Sequence, residues 1–186
     1  MLPFHEFDGV ERNKDFIRFA RETKAVRTAR GRYQDIRRES WWRQKLSGLF
    51  GHPNHLRELS QVLQKHRIVN YRRLGIQSVE IDRIIGSENR ADDFDDKFLP
   101  IKDHDEGRWI KIAELMLLNV TLPAVELIKV NGQFYVRDGH HRISVAKNFG
   151  QKHIDADVFE WVAAPYDPEP HKTEVEKRLA RQAQAC

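Results

Sequence analysis

Five consecutive residues, Asp138-Gly139-His140-His141-Arg142, gather most of the groups in this chain that could handle an anion. They follow an apolar run, Phe134 to Val136, and precede an amphipathic one, Ile143 to Phe149, so they stand at a strand-to-helix turn. Gly139 allows a tight bend and the close approach of a ligand to the backbone. The first amides of the following helix have no intrahelical acceptors and point outward, which suits an anion. Arg142 can add a bidentate grip on phosphate. Together these residues read as a phosphate cradle. A plainer reading makes Asp138 a helix cap, with His140 and His141 as incidental surface groups. The charge concentrated between two apolar flanks favours the cradle.

The surrounding sequence supplies elements to hold such a turn. Val79 to Ile85 reads as a strand, followed by the polar loop Gly86-Ser87-Glu88-Asn89-Arg90. Arg108 to Asn119 carries Trp109, Ile112, Met116 and Leu117 near helical spacing, and Trp109 is expected in the core. Ala124 to Val130 and Gln133 to Val136 read as strands joined at Asn131-Gly132, a strong hairpin signal. Val145, Ala146 and Phe149 would pack the helix after the turn onto that sheet, and Ile154 to Phe159 reads as a last strand.

From Gly75 to about Trp161, this ordered set resembles the ParB/sulfiredoxin-like superfamily. That group includes the nucleotide-binding domain of chromosome-partitioning ParB proteins, sulfiredoxin and the free-serine kinases. The resemblance implies an α+β fold, a small mixed sheet with packed helices, and a nucleoside di- or triphosphate as ligand. It makes Arg90, Asp138, Gly139, His140, His141 and Arg142 the expected phosphate-binding set, with Arg90 closing the side opposite the turn. A kinase is the alternative, because the free-serine kinases' turn, Asp-Gly-His followed closely by Arg, is nearer to this one. In that case Glu88 is the candidate catalytic base and Asp138 the second choice. A ParB-like nuclease is a third reading. The chain has His140 where sulfiredoxin has its catalytic cysteine, so reductase chemistry is excluded. The partitioning proteins' turn is typically Gly-Glu-Arg-Arg with a helix-turn-helix region after it. Only about 25 residues follow the last expected strand here, so partitioning itself is not expected.

Charge is divided unevenly. Residues 1–75 hold 17 Lys or Arg against 8 Asp or Glu, while residues 76–186 hold 15 against 20. A basic segment joined to a mildly acidic one suggests an anionic partner for the basic part. The one cysteine, Cys186, offers no disulfide framework and no thiolate metal cluster. No apolar run approaches a membrane span, so no membrane partner and a cytoplasmic setting are expected. The acidic clusters Asp92-Asp93-Phe94-Asp95-Asp96 and Asp103-His104-Asp105-Glu106 could hold magnesium beside phosphates, but they match no ligand spacing and read as a solvated loop and a helix start. Nor do the histidines: His140 and His141 are adjacent, and His52 and His55 lack a third ligand. No protein-held metal is expected.

The basic segment reads as helical. Lys14 to Arg32 and Tyr33 to Leu49 carry imperfect amphipathic patterns, with Gly31 expected to break or weaken the helix between them. After a turn at Gly48 to Pro53, His55 to Ile68 reads as a further amphipathic helix, and Arg72 to Gly75 as a boundary. Three regions result: a basic helical region (1–74), the sheet domain (75–162) and a charged, partly helical tail (163–186), its helix over Thr173 to Ala185. Two readings of the first region stay open. Arg27, Arg30, Arg32, Arg37, Arg38, Arg43 and Lys45 could contact DNA or RNA phosphates, with Tyr33, Trp41 or Trp42 stacking on bases. Alternatively the charges form a solvated face and the tryptophans pack on the sheet domain.

Overall fold

The structure is a computed structural model that describes residues 7–50, 54–102 and 105–165, with side chains from Lys14 to Gly48, Asn54 to Lys102 and Asp105 to Ala164. It is an α+β fold built on one mixed six-stranded sheet. The strands are β1 (Arg57–Glu58), β2 (His66–Glu80), β3 (Ile84–Ser87), β4 (Val125–Val130), β5 (Gln133–Asp138) and β6 (His153–Pro165). The helices are α1 (Phe7–Phe50), α2 (Leu59–Leu63), α3 (Glu106–Leu117) and α4 (His140–Asn148).

Across the sheet the order is β1-β3-β5-β4-β6-β2. β5 and β4 form the expected hairpin, with Asn131 at φ 50° and Gly132 at φ 78°, the two positive angles that a type I′ turn needs. β3 pairs β5 in parallel, which sets the end of β3 beside the end of β5. The polar loop and the charged turn therefore emerge at the same end of the sheet. Leu127, Val125, Phe134, Val136, Ala156 and Val158 fill one face of the sheet, where Ile143 and Ala146 of α4 join them. A second layer forms where Ala29, Tyr33 and Ile36 of α1 pack on Trp109 and Ala113 of α3 and on Val145 of α4. Trp109 is fully buried, as expected, and its indole Nε1 donates to Ser144 Oγ at 3.0 Å.

Four expectations about the elements fail. Gly31 does not break the first helix, because α1 runs uninterrupted from Phe7 to Phe50. Its cost of roughly 1 kcal/mol is outweighed by the stripe Ala25, Ala29, Tyr33, Ile36 and Ser40, buried at helical spacing on either side of it. The helix expected over His55 to Ile68 is reduced to α2, five residues long, and β2 begins at His66. Leu56 joins the main core ahead of α2, and Leu59 and Val62 pack on Ile128, Val130 and Tyr135, whereas His66 onward pairs with β6, Ile68 opposite Ala163 and Tyr71 opposite Trp161. Tertiary pairing thus overrides a short local helical pattern. Third, the strand expected over Val79 to Ile85 is divided by a turn at Ile81–Arg83, so that Val79 belongs to β2 and Ile84 to β3. The segment Arg72 to Gly75, read as a boundary, lies inside β2 at a bulge between Arg73 and Gly75. The expected tail helix, together with His52, Asp103 and His104, lies outside the described residues.

Candidate phosphate-binding site

Gly139 makes the turn. It adopts φ 98°, and a Cβ there would sit 2.5 Å from Val125 Cγ1, so both the angle and the space require glycine. The first intrahelical bond of α4 runs from Ile143 N to Gly139 O at 3.0 Å. The amides of His140, His141 and Arg142 precede it and carry the positive end of the helix dipole.

The polar loop meets this turn through a buried network. Ser87 Oγ accepts the amides of Arg90, at 2.8 Å, and Asn89, at 3.3 Å. Those two bonds use both lone pairs, so the hydroxyl proton goes to His140 Nε2, 2.8 Å away. His140 is thereby a neutral imidazole with its proton on Nδ1. Beneath the loop, Gly86 passes so close to Arg57 O and the Tyr135 ring that a Cβ would meet them at 2.3 and 2.5 Å. The strand end before Ser87 therefore has no room for a side chain at Gly86.

His141 lies beside it, with Nε2 3.1 Å from Asp105 Oδ1, while its Nδ1 has no hydrogen-bond partner. Arg90 ties the parts together: Nε donates to Asp93 Oδ2 at 2.6 Å and Nη2 to Asp105 Oδ1 at 3.2 Å. Lys102 also pairs with Asp93. Phe94 is the wall of the cluster, stacked on His140 at 5.8 Å, edge-on to His141 at 5.2 Å and under the Arg90 guanidinium at 5.7 Å. Both histidines are buried, 3% and 4% exposed. Burial first, then the charge of Arg90, lowers His140 to about 4, with His141 adding to it. Burial likewise lowers His141 to about 4, Arg90 and Arg108 acting in the same direction against the pull of Asp105. Burial works against ionisation of Asp93, yet the bonds from Lys102 and Arg90 hold its carboxyl below the usual range.

The expected site residues therefore divide. Arg90, Gly139, His140 and His141 come together, and the two histidines are not surface groups. Arg142 lies on the other flank of the turn, where Nη1 donates to the carbonyls of Pro123, at 2.6 Å, and Ala124, at 2.8 Å, and Nη2 to Asp138. Glu88 faces Arg137 at 3.2 Å, not Asp138. It lines an open cleft of about 330 Å³ with Asn89, Arg90 and Lys102, and a cleft of about 300 Å³ lies on the Arg142 side. Ser87, Phe94 and Asp105 belong to the cluster although sequence reasoning gave them no role there. Asn89-Arg90 after a serine was a signal for the first, since a short hydroxyl side chain commonly caps following amides.

The acidic loop is not a solvated segment. Asp95 is fully buried, accepts the amides of Lys97 and Leu99, and receives Arg43 Nε at 2.8 Å. Burial raises its carboxyl despite these bonds. Among the described residues no three His, Cys, Asp or Glu converge as metal ligands, and Asp93 and Asp105 already answer Arg90.

On α1 the expected nucleic-acid residues also divide. Arg43 bonds to Asp95, Asp96 and Asn54, and Arg37 to the carbonyls of Pro100, at 3.1 Å, and Ile101, at 2.5 Å. These two clamp α1 to the domain, as Arg32 does through Asn148 O at 3.0 Å. Tyr33 is buried against Trp109 at 5.5 Å and presents no stacking face. Arg27, Arg30, Arg38 and Lys45 remain exposed, with Trp41 and Trp42 exposed beside them. No described helix is long and apolar enough to cross a membrane. Compared with family models, curated proteins and solved structures, the chain matches none.

Proposed function

We infer that this protein binds a nucleoside di- or triphosphate at the start of α4, through the amides after Gly139 with Arg90 beside the phosphates and Arg142 fixing the turn through the carbonyls of Pro123 and Ala124. The observation that carries this reading is the convergence of the polar loop on the turn, joined by the Ser87–His140 bond between residues 53 apart in sequence. That bond fixes the helix start against the loop that carries Arg90. The unpartnered Nδ1 of the buried His141 further supports a polar ligand, since burying such an atom without a partner is costly. A magnesium ion would arrive with the nucleotide, because the nearby carboxylates are taken by Arg90 and Lys102. Neutral histidines suit hydrogen bonding to phosphate without a standing charge to bury. In this reading binding is the main event, and the exposed basic face of α1 adds a weak, sequence-tolerant attachment to nucleic acid.

Calorimetry with a panel of nucleoside mono-, di- and triphosphates, with and without magnesium, tests the reading. Binding is expected, raising the melting temperature by mass action. Arg90→Ala and Arg142→Ala should each lower affinity tenfold or more, while Arg30→Ala should not. Wild-type protein indifferent to every nucleotide, or variants that bind as well as wild type, would remove the cradle.

The kinase reading stands second, favoured by Glu88, which faces the cleft beside Arg90. It predicts that Glu88→Gln stops phosphate transfer to a hydroxyl acceptor and leaves nucleotide affinity unchanged. A parent protein that transfers no phosphate to a panel of hydroxyl metabolites leaves the binding protein.

A further inference from the structure

A cleft of about 890 Å³ lies away from the turn, between the first third of α1 and the end of α3. Its floor is apolar: Ile17, Leu117 and Val120 are 44%, 37% and 47% exposed. Its wall is cationic, with Lys14, Arg18, Arg21 and Lys24 along it and Glu22 as the single carboxylate. That carboxylate is already paired with Arg18 at 3.0 Å. The last turn of α3 is closed, with Glu114 O, Leu115 O and Met116 O receiving the amides of Leu118, Val120 and Asn119.

We propose that this cleft docks an acidic amphipathic helix of a partner protein, laid along α1 and α3 as the third helix of a bundle. Two helices already packed leave a groove into which a third can set an apolar stripe. The stripe would cover Ile17, Leu117 and Val120, and its acidic flank would meet Arg18, Arg21 and Lys24. Nucleic acid would use the cations but not the apolar floor. A second copy of this chain offers no acidic helix among its described residues: α1 is basic, α2 uncharged, α3 balanced and α4 without a carboxylate. The stretch of α1 from Lys14 to Lys24 is exposed or half-buried throughout, and helices in proteins draw most of their stability from packing. A partner helix would supply that packing.

Fluorescence anisotropy with the full chain tests this. The probe is a labelled 18-residue peptide with leucines at helical i, i+3, i+4, i+7 spacing and glutamates on the other face. Saturable binding is expected, weakened at least tenfold by Arg21→Glu with Lys24→Glu and abolished by Val120→Glu, yet unchanged by Arg30→Glu with Arg38→Glu on the outer face. Circular dichroism shows whether each variant keeps its helix content; should Val120→Glu lose it, Ile17→Glu replaces it as the apolar variant. No binding of the peptide would overturn the proposal. So would a peptide held equally by all the charge variants. Binding of anionic vesicles or of single-stranded RNA through Arg21 and Lys24, with no response to the floor variants, would overturn it in favour of a surface for those partners.

Discussion

Arginine does opposite work in two regions of this molecule. On the outer face of α1, Arg27, Arg30 and Arg38 stand in water, Arg38 paired only with Asp35 three residues away. At the domain face, Arg43 and Arg90 each hold two carboxylates in part-buried networks. The sequence gives both groups the same residue type, and burial separates their energetics. An exposed pair is worth about 0–1 kcal/mol, whereas breaking a buried pair leaves a charge stranded and costs about 3–5 kcal/mol. Basic composition alone therefore overstates how much of a helix is available to a partner.

The sharpest way to break that contrast is Arg43→Ala. Asp95 is fully buried and keeps only its two backbone amides when the guanidinium goes. Urea unfolding should show a loss of about 3–5 kcal/mol. Arg38→Ala, the matched exposed change, should stay within about 0.5 kcal/mol. If the two variants melt together, the clamp between α1 and the acidic loop is not what holds the helix down.

Next in size is the response to acid, which separates the two regions by pH. The folded-state values of His140 and His141, about 4, lie below the ordinary 6.5. Between those values the unfolded chain binds protons that the folded chain refuses, so stability is full above pH 6.5 and is lost as pH falls toward 4. One such histidine contributes a slope approaching about 1.4 kcal/mol per pH unit within that window. Urea titrations at pH 7, 6 and 5 should show stability falling, and His140→Asn should roughly halve the dependence, leaving the share of His141. A pH-independent midpoint would mean that the histidines are hydrated rather than enclosed.

How far the sequence revealed this arrangement depends on the range of the contacts. The turn was legible because its signal is local: glycine, charge and a change of period within a dozen residues. The Asn131-Gly132 hairpin and α3 were legible for the same reason. The fate of His55 to Ile68 was not, since Leu56, Leu59, Val62 and Leu63 repeat as a helix would, while the decision came from β6, about 95 residues away at Ile68 opposite Ala163. In the site, the turn could be read but its neighbours could not. Ser87 reaches His140 across 53 residues, and Asp95 meets Arg43 across 52. Those are tertiary pairings between residue types that are usually solvated, and composition carries no trace of them. The same blindness made Arg37 and Arg43 look equivalent to Arg27 and Arg38.

The smallest effect expected concerns that last group, and it asks whether the exposed half of the comparison has a partner at all. Arg27, Arg30, Arg38 and Lys45 offer about four phosphate contacts, and Trp41 and Trp42, edge to face at 4.7 Å, offer an exposed ring surface for unpaired bases. Counterion release gives a slope of log affinity against log salt of roughly −0.7 per phosphate neutralised on a single strand, so about −3 for four contacts. Arg38→Ala should then reduce the slope by less than one unit and the affinity only a few-fold. Arg37→Ala should leave the slope unchanged, because its guanidinium already serves Pro100 and Ile101. Anisotropy titrations of labelled single-stranded RNA between low and moderate salt distinguish the two. Equal effects from Arg37 and Arg38 would mean that the clamp opens on binding. A flat response in the parent protein would leave the outer face of α1 as a solvated surface, and its arginines would serve solubility alone.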